Sequence, residues 1–115
     1  RPLCEGTVGF GTSPYHPDLC DATFDLLKAL YRASLDIRRS GSAALDICYV
    51  ACGRQHAYLE QNLKPWDYSG ASIILREAGG VITDWGNKEL PYLSNSDILA
   101  CVPQFREILL KLINA

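Results

Sequence analysis

Residues 60–80, EQNLKPWDYSGASIILREAGG, leave a chain few ways to fold. Pro65 suits the first turn of a helix, where the missing N–H would have had no partner. Asp67 falls in the same turn, where the partial positive charge of the helix end favours an ionised carboxylate. Ala71, Ile74, Leu75 and Ala78 then recur at i, i+3, i+4 and i+7, one apolar stripe along a helix. Gly79 and Gly80 stop it, since glycine accepts the left-handed backbone that commonly closes helices. Strand-like residues stand on both sides, 57–60 before and 81–84 after. Strand, helix and strand in that order predict a parallel sheet.

The alternation runs the length of the chain. GTVGFGTS reads as a strand entering a glycine loop, and SPYHPDLCD as the loop that follows. Asp21 is the expected N-cap of a helix over residues 22–32 that buries Phe24, Leu27, Leu30 and Tyr31. A short strand at 35–38 leads through Ser40, Gly41 and Ser42 into a helix with Leu45, Cys48, Tyr49 and Cys52 on one side, ended by Gly53. Trp85, Gly86 and Asn87 make a turn, and residues 88–97 are polar and irregular. The continuous apolar run 98–102 is typical of a strand covered on both faces. The last helix, from Gln104, turns Phe105, Ile108, Leu109 and Leu112 inward. The expected fold class is α/β: a three-layer α-β-α sandwich around a mainly parallel, mixed sheet of about five strands.

At 115 residues the chain is expected to form one domain with a single core. Its formal net charge of -2 provides no basic field, which argues against nucleic acid as a partner. No apolar run approaches the roughly 20 residues of a membrane span, and no signal-peptide pattern opens the chain, so a cytoplasmic location is expected. Five cysteines sit in stretches that otherwise read as core, Cys48 and Cys52 one helical turn apart and Cys101 within ILACV. Reduced, buried thiols fit them, and the absence of a C-x-x-C pair argues against zinc. Gly9 and Gly11 lack the further glycines of a nucleotide fingerprint. His16 and His56 lack partner spacing for metal or nucleophilic work, and both read as structural. The chain contains no methionine, so it is expected to be a processed chain or part of a longer one.

In sheets of this kind ligands bind beyond the carboxyl ends of the strands. Three features fall there: the turn of residues 40–43, Glu60 at the end of a strand, and Asp67 opening the next helix. Spacing alone describes Asp67 as a helix-start residue, Glu60 as a solvated strand end, and Ser40 or Ser42 as an N-cap. Asp46 is expected on the solvated side of its helix. Arg38 and Arg39 are expected to hold Asp36 or another acid, or to serve as plain surface. Glu77, at a helix end, reads as structural.

WDYSGASIILREAGG resembles the second signature of the inositol monophosphatase family: Trp-Asp, a few small residues, then an apolar run ending Glu-Ala-Gly-Gly. IRRSGSAALDICYVACGRQHAYLE resembles the segment that precedes that signature, and the spacing from Gly41 through Glu60 to Asp67 agrees. The likeness implies a substrate site. The residues matching Gly41, Ser42 and Ala43 form a turn whose Ser42 and Ala43 N–H groups face a sugar-alcohol. The residue matching Glu60 accepts hydrogen bonds from its hydroxyls, a task suited to an acceptor-only carboxylate. The residue matching Asp67 is the catalytic magnesium ligand and also helps position the substrate. Aspartate is an expected choice, because Mg²⁺ prefers oxygen ligands and bridges readily to phosphate. The implied reaction is metal-assisted hydrolysis of a phosphate ester, inositol monophosphate or a similar sugar-alcohol phosphate.

The departure from the family pattern is large. Family members carry an N-terminal half with a glutamate and an Asp-Pro-Ile/Leu-Asp-Gly-Thr motif that this sequence lacks. One aspartate does not hold two or three Mg²⁺ ions. The expectation is therefore a C-terminal substrate-binding domain over residues 1–115, inactive without its metal-binding N-terminal half. The full-length form is expected to be a homo-oligomer, a dimer by family habit. Other phosphate esters remain open as substrates: histidinol phosphate, fructose bisphosphate or a phosphoadenosine nucleotide. A non-catalytic interaction module with this fold is the alternative from another class.

Overall fold

A computed structural model describes residues 3–12 and 17–115. The loop expected over residues 13–21 falls partly outside that range, and His16 lies outside it. Nine elements follow in order: β1 (Thr7–Phe10), α1 (Cys20–Ala33), β2 (Asp36–Arg38), α2 (Ala43–Ala51), β3 (Ala57–Leu63), α3 (Pro65–Glu77), β4 (Val81–Thr83), β5 (Ser96–Cys101) and α4 (Arg106–Ile113). Short 3-10 turns occupy Leu3–Glu5, Pro17–Leu19 and Pro103–Phe105.

The five strands form one sheet in the order β2-β1-β3-β5-β4. β1 pairs in parallel with β2 and β3, whereas β5 pairs antiparallel with both β3 and β4. β5 alone therefore runs against the other four, which makes the sheet mixed and mainly parallel in direction. Helices cover both faces, giving the expected three layers. On one face α2 and α3 bury Ile47, Val50, Tyr68, Ala71 and Leu75 against Tyr58, Ile82 and Ile98. On the other, α1 and α4 bury Leu27, Leu30 and Leu109 against Val8, Leu59 and Leu99. Alternate residues of β3 and β5 serve the two cores, as the two-residue period of a strand requires.

The strands and helices fall where the sequence places them; the helix faces are rotated. α1 buries Thr23, Leu27 and Leu30, while Phe24 and Tyr31 are 59% and 61% exposed. Its N-cap is Leu19, with no side-chain cap, and not Asp21. α2 buries Asp46, Ile47 and Val50 and leaves Leu45 and Cys52 exposed. α3 buries Tyr68, Ala71, Ser72 and Leu75, with Ile74 and Ala78 exposed. In α4 Ile108 is exposed and Leu112 half-buried. Of the five cysteines only Cys101 is buried; Cys4, Cys20 and Cys52 are exposed, against the expectation of core thiols.

β3 also runs further than its apolar residues suggest. It continues past Glu60 to Leu63, through an irregularity where Glu60 pairs with Ile98 but Leu63 with Ser96. One extra residue on β3 makes this a bulge. Asn62 takes it up with a positive φ of 57°, its N–H donating to Asp97 Oδ1 at 2.9 Å. Glu60 is thus inside the strand, just before the bulge, and not at its end.

Candidate substrate site

The carboxyl ends of β1 and β2 and the middle of β3 bring the site together. Phe10, Gly11, Arg39, Gly41, Ser42, Asp46, Tyr58 and Glu60 line one pocket of about 70 Å³. Three of the five residues expected at a site, Gly41, Ser42 and Glu60, thus meet. Ala43, the first residue of α2, packs its methyl toward the α2–α3 core and does not line the pocket. Asp67 does not line it either, but stands close enough for its charge to act on Tyr58.

The turn into α2 is shaped by its small residues. Gly41 has a φ of +87°, in the region glycine enters at no steric cost. Ser42 is the N-cap, its Oγ accepting from Leu45 N–H at 3.2 Å. The Ser42 N–H itself donates to Ser40 Oγ at 3.1 Å. The Ala43 and Ala44 N–H groups belong to a first turn for which the helix supplies no acceptors. Of the two N–H groups expected to face a ligand, that of Ser42 is therefore already engaged.

Glu60 is held from two sides. Tyr58, fully buried and two residues earlier on the same face of β3, donates its hydroxyl to Glu60 Oε1. Beneath the carboxylate lies Gly11, whose N–H donates to Leu59 O at 3.1 Å; a Cβ at Gly11 would stand 1.7 Å from Glu60 Oε1. Burial pushes the Tyr58 phenol far above its ordinary range, and the charge and hydrogen bond of Glu60, then the charges of Asp46 and Asp67, act in the same direction. The charges of three carboxylates thus act on one phenol that stays protonated, with Glu60 alone bonded to it.

Asp46 overturns its expected solvated place. It is 2% exposed and accepts from Ser40 Oγ and from Gln55 Nε2, each at 2.8 Å. Gln55 Oε1 has no hydrogen-bond partner among the described residues and lies against Gly9, where a Cβ would come within 2.2 Å of it. Gly9 in β1 and Gly11 just past its end are therefore bare so that site side chains can lie across the backbone. Neither the Asp46–Gln55 pair nor Tyr58 stood out in the sequence. The alternation of glycines in GFG was a visible signal, but of side chains crossing the strand.

Asp67 Oδ2 accepts from Lys64 N–H at 3.2 Å, so the helix-start role that spacing gives it is real. Its Oδ1 has no hydrogen-bond partner among the described residues. A half-buried carboxylate with one oxygen free suits a cation such as Mg²⁺. No three His, Cys, Asp or Glu side chains gather to hold a metal among the described residues, so Asp67 fits as one ligand of a larger set.

The other singled-out residues are settled by their contacts. Thr7 N–H donates to His56 Nδ1 at 3.1 Å, and the ring packs edge-on against Phe105, a structural place. Arg38 and Arg39 make no ion pair within 4.0 Å among the described residues, and Asp36 instead accepts from Ile37 N–H at 2.9 Å. No helix among those residues is long and apolar enough to cross a membrane.

The α2 N-terminus, the ends of β1 and β2 and the Glu60 carboxylate thus meet at one pocket, in the region where open α/β sheets commonly bind ligands. The sequence matches the inositol monophosphatase family over residues 8–115, and the chain belongs to that family. It is 41% identical over 91 residues to the Nus factor SuhB of Xylella fastidiosa, covering 79% of this chain and 33% of that protein. The solved inositol monophosphatase of Anabaena superposes with a TM-score of 0.84 at 33% identity, covering 98% of this chain and 44% of that one. An IMPase/NADP phosphatase complexed with Mg²⁺ and phosphate superposes at 0.85 with 24% identity, covering 100% of this chain and 41% of that one, a likeness of fold. The chain spans less than half the length of the curated relatives it matches.

Proposed function

We propose that this chain is the C-terminal, substrate-binding domain of a magnesium-dependent phosphomonoesterase acting on inositol monophosphate or a similar sugar-alcohol phosphate. The observation that carries the reading is Glu60, fixed by Tyr58 and facing the Gly41–Ser42 turn across one pocket. With Oε1 tied to Tyr58, the carboxylate is oriented before any ligand arrives, which lowers the ordering cost of binding. Glu60 accepts from ring hydroxyls, and the N–H of Ala43 donates to the substrate from the helix end. Asp67 contributes its free oxygen to Mg²⁺ and positions the substrate near the ester. The bound cation supplies neutralisation of charge on the phosphoryl oxygens and activation of water.

The site is a part of a larger one. About 70 Å³ is well below the roughly 300 Å³ of small-molecule pockets, and a single metal-ligating aspartate is too few. The other carboxylates come from a metal-binding N-terminal half, and the isolated chain is inactive. A cytoplasmic location and a dimeric full-length form complete the reading. The solved relatives support it, one by being an inositol monophosphatase and one by its Mg²⁺ and phosphate.

Titration of the chain with myo-inositol, followed by amide chemical shifts, tests the site itself. Saturable shifts centred on Gly11, Ser42, Ala43 and Glu60, lost in Glu60→Gln, are the expected result. Shifts elsewhere, or none, would favour another phosphate ester or a non-catalytic module.

A further inference from the structure

A second and larger cleft, of about 270 Å³, adjoins the pocket of Glu60 and shares Arg39 and Asp46 with it. Arg38 and Arg39 reach it from the end of β2, and Arg54 from the loop between α2 and β3. Tyr49 and the Ser40–Asp46–Gln55 cluster make up the rest of its lining. None of the three guanidinium groups makes an ion pair within 4.0 Å among the described residues. The one acid among the lining residues, Asp46, accepts from Ser40 and Gln55 at 2.8 Å each, neutral donors that leave its charge in place against the three guanidinium groups. Arg54 lies over the Tyr49 ring, 5.4 Å from its centre, which fixes its position without neutralising it.

Three guanidinium groups and one carboxylate leave the lining of this concave surface net positive in a chain whose formal net charge is -2, a local field that favours an anion. Guanidinium is the side chain best matched to phosphate, offering paired N–H donors in a planar fork and keeping its charge at any working pH. We propose that this cleft binds a phosphate group, at a position separate from the pocket of Glu60. Two arginines come from the end of β2 and the third from the loop between α2 and β3, so a tetrahedral dianion can take donors from two separate elements. A carboxylate, flat and singly charged, satisfies fewer of them. The site asks nothing of a divalent cation, because the arginines provide the charge. It is independent of the proposed hydrolysis.

The test is a titration of the 115-residue chain with inorganic phosphate at pH 8, without divalent cations, following the arginine Nε–H resonances. Glycerol 3-phosphate in a parallel arm distinguishes a phosphate ester from the free ion, and sodium chloride at matched ionic strength controls for screening. The expected result is saturable binding in the millimolar range, with shifts at Arg38, Arg39 and Arg54. Arg54→Gln and Arg38→Gln should each weaken it several-fold, and Lys88→Gln, an exposed cation outside the cleft, should not. Tighter binding of glycerol 3-phosphate than of phosphate would assign the cleft to an esterified group, and the reverse to the free ion. Shifts reproduced by chloride, or binding that survives the Arg38→Gln/Arg54→Gln double variant, would overturn the proposal.

Discussion

Glu60 lies on the bare Cα of Gly11, so close that a Cβ there would stand 1.7 Å from its Oε1. A main-chain atom thus sets where the candidate substrate carboxylate can be. Gly11→Ala must displace that carboxylate, which takes the acceptor away from the hydroxyl of the fully buried Tyr58. The expected outcome is a loss of about 1–3 kcal/mol of stability, the cost of one stranded buried donor, with polyol affinity down about tenfold, some 1.4 kcal/mol. Denaturant midpoints and inositol titrations of the two proteins check both halves.

Asp46 supports a prediction of the same kind. Its carboxylate is buried, and Asp46→Ala strands the buried Gln55 Nε2, whereas the exposed Ser40 Oγ keeps Ser42 O and water as acceptors. A stranded buried donor costs about 1–3 kcal/mol, and the variant should lose about that much in urea unfolding. A loss below about 0.5 kcal/mol, the range of ordinary surface changes, would contradict the buried placement.

The order of elements, the three layers and three of the eight residues lining the pocket were legible in the sequence. Gly41, Ser42 and Glu60 were legible because the turn, the strand and the helix start each carry a local signal. The helix faces were not. In α3 the apolar stripe drew attention to Ile74 and Ala78, yet the buried stripe includes Tyr68 and Ser72. Tyr68 is satisfied by donating to Ser94 O at 2.9 Å, and Ser72 by donating to Ser69 O at 2.7 Å. Asp46 is the same case with partners on both sides of it in sequence. A polar residue reads as solvent-facing until its partners are known, and those are supplied by the folded chain. The bulge after Glu60 was hidden for a similar reason, since its cause is a positive φ at Asn62 and a side chain 35 residues away.

The rotated face of α3 gives a direct comparison. Leu75 is fully buried and Ile74 is 52% exposed, although they are neighbours. Leu75→Ala should cost about 2–5 kcal/mol and Ile74→Ala under about 1 kcal/mol, as seen in denaturant midpoints. Equal losses would restore the stripe read from the sequence.

Alkaline pH should weaken the fold before it touches most side chains. Burial pushes the Cys101 thiol from 9.0 up to about 12, with nearby Arg106 acting weakly the other way. The folded state therefore holds a proton that the unfolded chain releases. Stability is full below pH 9 and falls as pH rises toward 12, by at most about 1.4 kcal/mol per pH unit from this group. The buried Tyr58 phenol adds to the fall above its ordinary value of 10.0. Cys101→Ala should flatten the first part of the decline in unfolding experiments at successive pH values, and an unchanged slope would remove the thiol from the account.

The most direct measurement is magnesium-dependent phosphate release from inositol 1-phosphate by the chain alone, then mixed with an N-terminal half that supplies the acidic metal motif. The same mixture made with Asp67→Asn is the control. Release only from the mixture, abolished by Asp67→Asn, is the predicted result and makes this chain the substrate half of a divided phosphatase site. Release by the chain alone, or undiminished release with Asp67→Asn, would contradict the assignment of Asp67 and of a site completed from outside.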